Sequence, residues 1–168
     1  MANCNCVKGN FDVIVDFHGC NTLVIEDFSD WMEEDGYYNK PESYVLSIQT
    51  PNRPKTYNIT IYTDKRNKFS TSDLGIGGQN FNDGIYCFTL ENCGNTYKRN
   101  KMLSCSIECC LDDAVSKLTN REEILILDEI RLLVDSSKIN TEIGNLTKAK
   151  EQYSMITKML RRLNCSCT

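Results

Sequence analysis

The segment Leu-Ser-Cys-Ser-Ile-Glu-Cys-Cys-Leu-Asp-Asp-Ala-Val-Ser-Lys-Leu, residues 103–118, marks the point where the pattern of this 168-residue chain changes. Its apolar positions recur at intervals of three and four residues, which is the spacing of one face of an α-helix. These positions are Leu103, Ile107, Cys110, Leu111, Ala114 and Leu118. From Ser104 onward the chain has no proline and a single glycine, Gly144. We therefore expect residues 105–168 to form an α-helical region of about three helices.

The chain before this segment has the pattern of short β-strands. Residues 11–17 alternate apolar and polar side chains, as a half-buried strand does. Five further strands are predicted, separated by turns rich in Gly, Pro and Asn. They cover residues 21–26, 43–49, 57–63, 84–91 and 96–103. We expect an α+β protein in which residues 1–104 form an antiparallel β-sandwich with a Cys-bearing N-terminal segment, followed by a helical hairpin or bundle.

Two longer helices are predicted after residue 118. Thr119 and Glu122 have the spacing of a capping box, which would open a helix extending to about Val134. This helix is apolar nearly all round, so we expect it to be buried between other elements. A third helix is expected from about Ser137 to Leu163, with a near-heptad apolar seam. The seam consists of Ile139, Leu146, Ala149, Tyr153, Ile156, Leu160 and Leu163.

Composition disfavours two classes of partner. The net charge is −4, whereas a dedicated nucleic-acid-binding protein usually has a basic face. The longest apolar run, residues 124–127, is far too short to cross a bilayer. The N-terminal residues lack the basic and apolar regions of a secretory signal, which predicts synthesis in a reducing compartment.

The ten cysteines admit three interpretations: metal ligands, small buried apolar residues, or disulfides formed after the chain leaves the cell. Four of them form a Cys-x-Cys pair at each end of the chain. These are Cys4, Cys6, Cys165 and Cys167. Together they would supply four thiolates to a tetrahedral zinc ion, although one intervening residue is fewer than in the usual zinc knuckle.

A second cysteine group surrounds the start of the first predicted helix. Cys105 and Cys109 share a helix face and, with Cys93 in the preceding turn, form another candidate metal group. Burial as small apolar residues is the alternative for this group, and Cys110 belongs to the apolar stripe of the helix.

No enzyme is expected from the remaining motifs. The only histidine, His18, lies near Cys20, but no cysteine-protease signature surrounds the two. The glycine-rich residues 75–84 lack the Gly-Lys-Ser/Thr of a phosphate-binding loop and lead into a strand rather than a helix.

Candidate interface residues are easier to identify than candidate catalytic residues. The acidic residues 26–36 contain the single tryptophan, and aromatic side chains dominate interface hot spots. The candidate docking residues are Phe28, Trp31, Tyr37 and Tyr38. Arg161 and Arg162 form a basic end on the last helix, which either complements the helix dipole or contacts an acidic or nucleic-acid partner.

The order of these features resembles a known family. A short Cys-bearing start, a β-sandwich, Cys-x3-Cys-Cys-Leu-Asp-Asp at residues 105–113, a helical hairpin and a terminal Leu-Asn-Cys-x-Cys are similar to small virion proteins of crAss-like, Bacteroides-infecting bacteriophages. The resemblance implies a non-enzymatic connector or tail protein of the virion neck, assembled in the host cytoplasm. Its implied partners are further copies in a high-order ring and portal, neck or tail proteins, with no membrane or specific nucleic acid. The alternative is a small zinc-binding adaptor or regulatory protein that uses the terminal cysteines.

Overall fold

The computed structural model describes residues 13–27, 41–49, 54–62, 66–76, 79–92, 94–117, 120–163 and 165. Within these residues two antiparallel sheets precede three helices, which confirms the α+β class. The strands are β1 (Val13–His18), β2 (Thr22–Asp27), β3 (Pro41–Gln49), β4 (Pro54–Tyr62), β5 (Asn67–Ser70), β6 (Gly84–Asn92) and β7 (Asn95–Leu103). The helices are α1 (Cys105–Ser116), α2 (Arg121–Glu142) and α3 (Leu146–Leu160).

The chain divides into two compact units, a β-rich unit and a helical unit. The helical unit contains α1, α2 and α3. It also includes residues 82–85, which lead into β6 and form its start, and residues 100–103 at the end of β7. The sequence-based boundary at residue 104 therefore differs from the structural division by these short segments. They group with the helices because Ile85 and Met102 belong to the helical core.

The smaller sheet has the strand order β1-β2-β5. As predicted, β1 alternates, with Val13 and Val15 buried. β2 lies between the other two strands and buries three consecutive apolar residues, Leu23, Val24 and Ile25. A strand covered on both faces has this continuous apolar pattern. β5 was not predicted, because its four residues, Asn-Lys-Phe-Ser, carry too little apolar alternation.

The larger sheet has the order β4-β3-β6-β7. In β3 the buried side chains are Tyr44, Leu46 and Ile48, separated by two residues each, so they share one face. Leu46 is opposite Tyr57 of β4 and Leu90 of β6, and this register places two fully buried leucines side by side.

The start of α1 is capped from outside the helix. The side chain of Ser104, at the N-cap, makes no capping hydrogen bond. Instead the Asp83 carboxylate accepts from the backbone N–H groups of Ser106 at 3.0 Å and Ile107 at 2.9 Å. A carboxylate at this position satisfies two of the donors that a helix leaves unpaired and favours the positive end of its dipole.

α2 begins one residue later than its predicted capping box. Asn120 is the N-cap, and its side chain accepts from the backbone N–H of Glu123 at 2.9 Å. The prediction of Thr119 with Glu122 was therefore wrong by one residue. Asparagine and threonine both cap helices by accepting an N–H bond, so sequence did not distinguish the two adjacent candidates.

α2 also extends to Glu142, beyond the predicted end near Val134, and the third helix begins at Leu146 rather than Ser137. The apolar pattern stops at Val134 because the next buried positions are Ser137, Asn140 and Thr141. Their polar groups are bonded within the helical unit. Asn140 Nδ2 donates to the Gln152 side chain at 2.9 Å, and Thr141 Oγ1 donates to the Ser137 carbonyl at 2.7 Å. The buried face of α2 thus continues in polar residues, which the apolar periodicity does not reveal.

The break between α2 and α3 lies at Gly144, whose φ is +87°. The N–H of Gly144 donates to the Thr141 carbonyl, and the N–H of Asn145 donates to the Asn140 carbonyl. This pair of bonds is a Schellman motif, which ends a helix with a residue in the left-handed region.

The helical core contains the buried faces of all three helices. Its members include Ile107, Leu111, Leu127, Ile130, Val134, Ala149 and Ile156. Ile130 and Ile156 are completely buried. α2 packs mainly against α3, and Lys138 of α2 also forms an ion pair with Glu108 of α1 at 3.3 Å.

Candidate interaction surface

The outer face of α2 carries a row of exposed apolar side chains. Its members have spacings of seven, seven and four residues and so share one helix face. They are Leu125, Leu132, Ile139 and Ile143, with 60, 70, 61 and 71 % of their surface exposed. We call this row the α2 stripe. The expectation that α2 is buried all round was wrong, because only the face with Leu127, Ile130 and Val134 enters the core.

Carboxylates flank the α2 stripe. Asp128 and Glu129 lie three and four residues after Leu125, and Asp135 lies three residues after Leu132. All three are exposed. The exposed Arg121 and Arg131 also lie beside the stripe, but α2 as a whole carries six carboxylates and three cations, so its charge is predominantly acidic.

α3 presents the opposite charge. Its exposed cations are Lys148, Lys150 and Lys158, with Glu151 as its only carboxylate. The predicted interface residues Arg161 and Arg162 follow directly and are exposed. Lys148, Met155 and Arg162 are separated by seven residues each, and Lys158 lies three residues after Met155. We call these four residues the α3 basic face.

The other predicted interface residues, Phe28, Trp31, Tyr37 and Tyr38, lie outside the described residues. Sequence reasoning missed the α2 stripe, although its signal was present. Leu125, Leu132 and Ile139 repeat every seven residues, but the sequence-based prediction places Ile139 in the apolar seam of the third helix and interprets α2 as buried on every side. Ile139 is instead an exposed residue of α2.

A disulfide joins α1 to the C-terminal segment. Cys110 and Cys165 are bonded, with their Cα atoms 5.2 Å apart and a sequence separation of 55. Cys110 is buried in α1, as expected, but as half of a disulfide rather than as a thiol. A cross-link over this length of chain restricts the unfolded state strongly.

Most of the described cysteines are oxidised. Cys20, Cys105 and Cys109 are also in disulfides, whereas Cys87 of β6 is a thiol. The interpretation as buried thiols is wrong for the bonded residues. The third of the original interpretations, disulfide formation, describes them instead.

One of the four cysteines proposed as zinc ligands is in a disulfide. Cys165 is bonded to Cys110, so in this state its sulfur is not a thiolate ligand. Cys4, Cys6 and Cys167 lie outside the described residues, as does Cys93 of the second candidate group. Among the residues that are described, no group of three or more His, Cys, Asp or Glu side chains is arranged to hold a metal ion. Zinc binding by the reduced ends stays a prediction.

His18 and Cys20 do not form a nucleophile and base. His18 is exposed at the end of β1, and the Cys20 sulfur is in a disulfide. A thiolate nucleophile requires a reduced cysteine.

Among the described residues, the pKa shifts of this site belong to partly buried groups that contribute to the fold. Asp27 is completely buried and accepts a hydrogen bond from the Tyr44 hydroxyl. Burial, and then the Asp27 charge, raise the pKa of Tyr97 to about 12, and Arg99 acts in the opposite direction. In the helical unit, burial raises the pKa of the Asp83 carboxyl, although its bonds to the α1 backbone lower it.

No family model matches this chain, and searches of curated proteins and of solved structures found no match. None of the described helices is long and apolar enough to cross a membrane.

Proposed function

We propose that this protein is a non-enzymatic structural component of a bacteriophage particle, a ring-forming head-to-tail connector or tail protein that acts through subunit contacts. Its partners are further copies of itself in a high-order ring and portal, neck or tail proteins. It is located in the neck or tail of the virion and assembles in the host cytoplasm. The observation that carries the proposal is the α2 stripe, four large apolar side chains that the helical unit leaves uncovered.

A subunit contact gives these side chains a physical role. Complete burial of a Leu or Ile side chain contributes about 1.5–3 kcal/mol. Four such residues in one row are therefore a strong contribution to association, whereas scattered exposed apolar residues are ordinary. A ring places the same contact between every pair of neighbouring copies.

The disulfides suit a particle that leaves the cell. Disulfides persist on virion surfaces and are rare in the cytosol, where thiols are kept reduced. Under this proposal the chain assembles in reduced form, and bonds such as Cys110–Cys165 form after release.

The finer architecture is part of the same proposal: the two sheets stack as a sandwich, and α2 with α3 is a helical hairpin. Within the β-rich unit, the ring of Phe17 on β1 lies 5.1 Å from that of Tyr86 and 5.9 Å from that of Phe88, both on β6. These contacts between side chains of different sheets support face-to-face packing. The short turn at Gly144 and the packing of α2 against α3 support the hairpin.

The proposal is tested by the mass of the native assembly. We expect mass photometry and electron microscopy of the purified chain to show closed rings with a defined number of copies. Portal, neck or tail proteins of the same phage should stabilise these rings. A chain that stays monomeric at all concentrations, with or without those proteins, contradicts the proposal.

The zinc-adaptor alternative is tested on the same material. Elemental analysis of reduced, natively purified protein would find about one zinc per chain, and chelation would unfold it. A Cys4→Ser/Cys6→Ser variant would lose that zinc, whereas Cys87→Ser serves as a control outside the proposed ligand set. Protein without zinc that forms rings supports the structural role alone.

A further inference from the structure

We propose that the α2 stripe of one copy binds the α3 basic face of a second copy, so that each contact joins two different surfaces. This inference rests on the proposed ring function and names the surfaces that would build the ring. One chain carries both surfaces on separate helices of its helical unit, so every copy can offer one surface to each neighbour.

Charge complementarity identifies the occupant of the α2 stripe. Asp128, Glu129 and Asp135 border the stripe, so its partner should combine apolar surface with positive charge. The α3 basic face has that composition, with exposed Met155 among the cations Lys148, Lys158 and Arg162, against a single carboxylate, Glu151. Methionine is suited to such a contact because its flexible side chain adapts to varied apolar surfaces.

Four charged side chains on or beside these two surfaces form no ion pair within the described part of the chain. Elsewhere in the helical unit, other lysines already have partners: Lys101 pairs with Glu142, and Lys117 pairs with Asp113. Within the described part of the chain, Asp128, Asp135, Lys148 and Lys158 make no ion pair. They remain available for a contact between chains.

The spacing of the two surfaces also matches. Leu125, Leu132 and Ile139 are seven residues apart on α2, and Lys148 and Met155 are seven residues apart on α3. Arg162 lies in the turn that follows α3. Seven residues of helix rise about 10 Å, so the two rows have a common repeat when the helices lie side by side.

Pairing of two α2 stripes is disfavoured. A two-fold contact would bring the flanking carboxylates of one α2 against those of the other, and apposed like charges oppose association. Binding of α2 to α3 avoids this repulsion. Because the two surfaces differ, successive copies join head to tail, and such contacts close into a ring when the rotation between copies allows it.

Charge reversal tests the contact. The α2 variant is Asp128→Lys/Asp135→Lys, the α3 variant is Lys148→Glu/Lys158→Glu, and the combined variant carries all four changes. We expect each double variant to weaken self-association on the order of tenfold at low salt and the combined variant to restore it. High salt should reduce these differences because it screens exposed charges.

The matched control reverses two charges away from both surfaces. Asp112→Lys/Lys150→Glu alters one exposed residue on α1 and one on α3, outside the stripe, its charged border and the basic face, and should leave association unchanged. Circular dichroism and thermal unfolding of each variant verify that the helices are intact. Association is measured by sedimentation velocity and mass photometry.

The experiment distinguishes failure of the proposed contact between α2 and α3 from failure of the proposed ring. Rings that survive both reversals, or an α2 variant that the combined change does not rescue, overturn the contact and leave the proposed function standing. Two-copy assemblies that follow the predicted loss and rescue support the contact and contradict the ring. A monomeric wild-type chain, with or without neighbouring virion proteins, overturns both.

Discussion

The β-rich unit and the helical unit differ in how many large apolar side chains they expose to solvent. In the described part of the β-rich unit, the exposed large apolar side chains are Ile14 and Tyr62. The described part of the helical unit exposes seven, five of them on α2 or its C-terminal cap. The helical unit is also cross-linked by the Cys110–Cys165 disulfide. It combines a covalently reinforced fold with an uncovered apolar face, which is the combination expected of the unit that binds neighbours.

The largest expected effect concerns the disulfide. Cys165→Ser removes a cross-link that spans 55 residues, and we expect the helical unit to lose about 4 kcal/mol of stability. Hydrogen exchange followed by mass spectrometry should show reduced protection in α1–α3 and little change in the β-rich unit.

Cys87→Ser is the matched control for that variant because Cys87 is a thiol in the β-rich unit. Its expected cost is about 1 kcal/mol or less. Equal losses from the two substitutions would contradict the stabilising role of the disulfide.

A second prediction compares the two faces of α2. Ile130 is completely buried, so Ile130→Ala should reduce the free energy of unfolding by about 3 kcal/mol. Leu132 belongs to the exposed stripe, and Leu132→Ala should change monomer stability by about 0.5 kcal/mol or less. Urea unfolding at a concentration that keeps the chain monomeric measures both. A Leu132→Ala loss as large as that of Ile130→Ala would mean that the stripe is buried in the monomer.

These faces also show what sequence predicts about the fold. Apolar patterning and turn residues predicted six of the seven strands, all except β5, and apolar periodicity predicted the helical region, because burial imposes such patterns directly. The end of α2 was mispredicted because its buried face changes from Val134 to the polar residues Ser137 and Thr141. Gly144 was the available signal, since a lone glycine in a helical region often ends a helix.

The candidate site was less predictable. An amphipathic helix with additional exposed apolar residues and a fully buried helix have similar sequences. The seven-residue repeat of the α2 stripe is visible in the sequence, but its exposure follows from the packing of α3 against one side of α2. Disulfide pairing was similarly hidden, because Cys110 and Cys165 are brought together by the tertiary fold and ten cysteines allow many connectivities.

A third prediction concerns the turn between α2 and α3. Gly144 has a φ of +87° and open space around its Cα, so Gly144→Ala should cost about 1 kcal/mol for backbone strain alone. Gly144→Asn should cost less, because asparagine tolerates the left-handed region. Gly19→Ala is the counterpart in the β-rich unit, with a φ of +70° and similarly open surroundings. Hydrogen exchange should place each loss in its own unit, and an unchanged Gly144→Ala stability would contradict the helix-ending role of Gly144.

The smallest expected effect concerns tyrosine ionisation in the two units. The pKa of Tyr97 in the β-rich unit is raised from 10.0 to about 12, and the pKa of Tyr153 in the helical unit is also raised. Burial is the first cause for both, and the carboxylates Asp27 and Asp83 respectively add to it. The difference in tyrosinate absorbance between wild type and Tyr97→Phe should therefore develop near pH 12. Tyr153→Phe is the matched control in the helical unit.

The stability consequence of Tyr97 has a definite sign. Its pKa is higher in the folded than in the unfolded chain, so its stabilising contribution is complete below pH 10 and is lost as the pH rises towards 12. Wild type should therefore lose more stability than Tyr97→Phe across that interval. Asp27→Asn should lower the pKa of Tyr97 only partly, because burial is the larger cause and survives the substitution. A complete return of the Tyr97 pKa to 10.0 in the Asp27→Asn variant would contradict this order of causes, because the Asp27 charge would then be the dominant one.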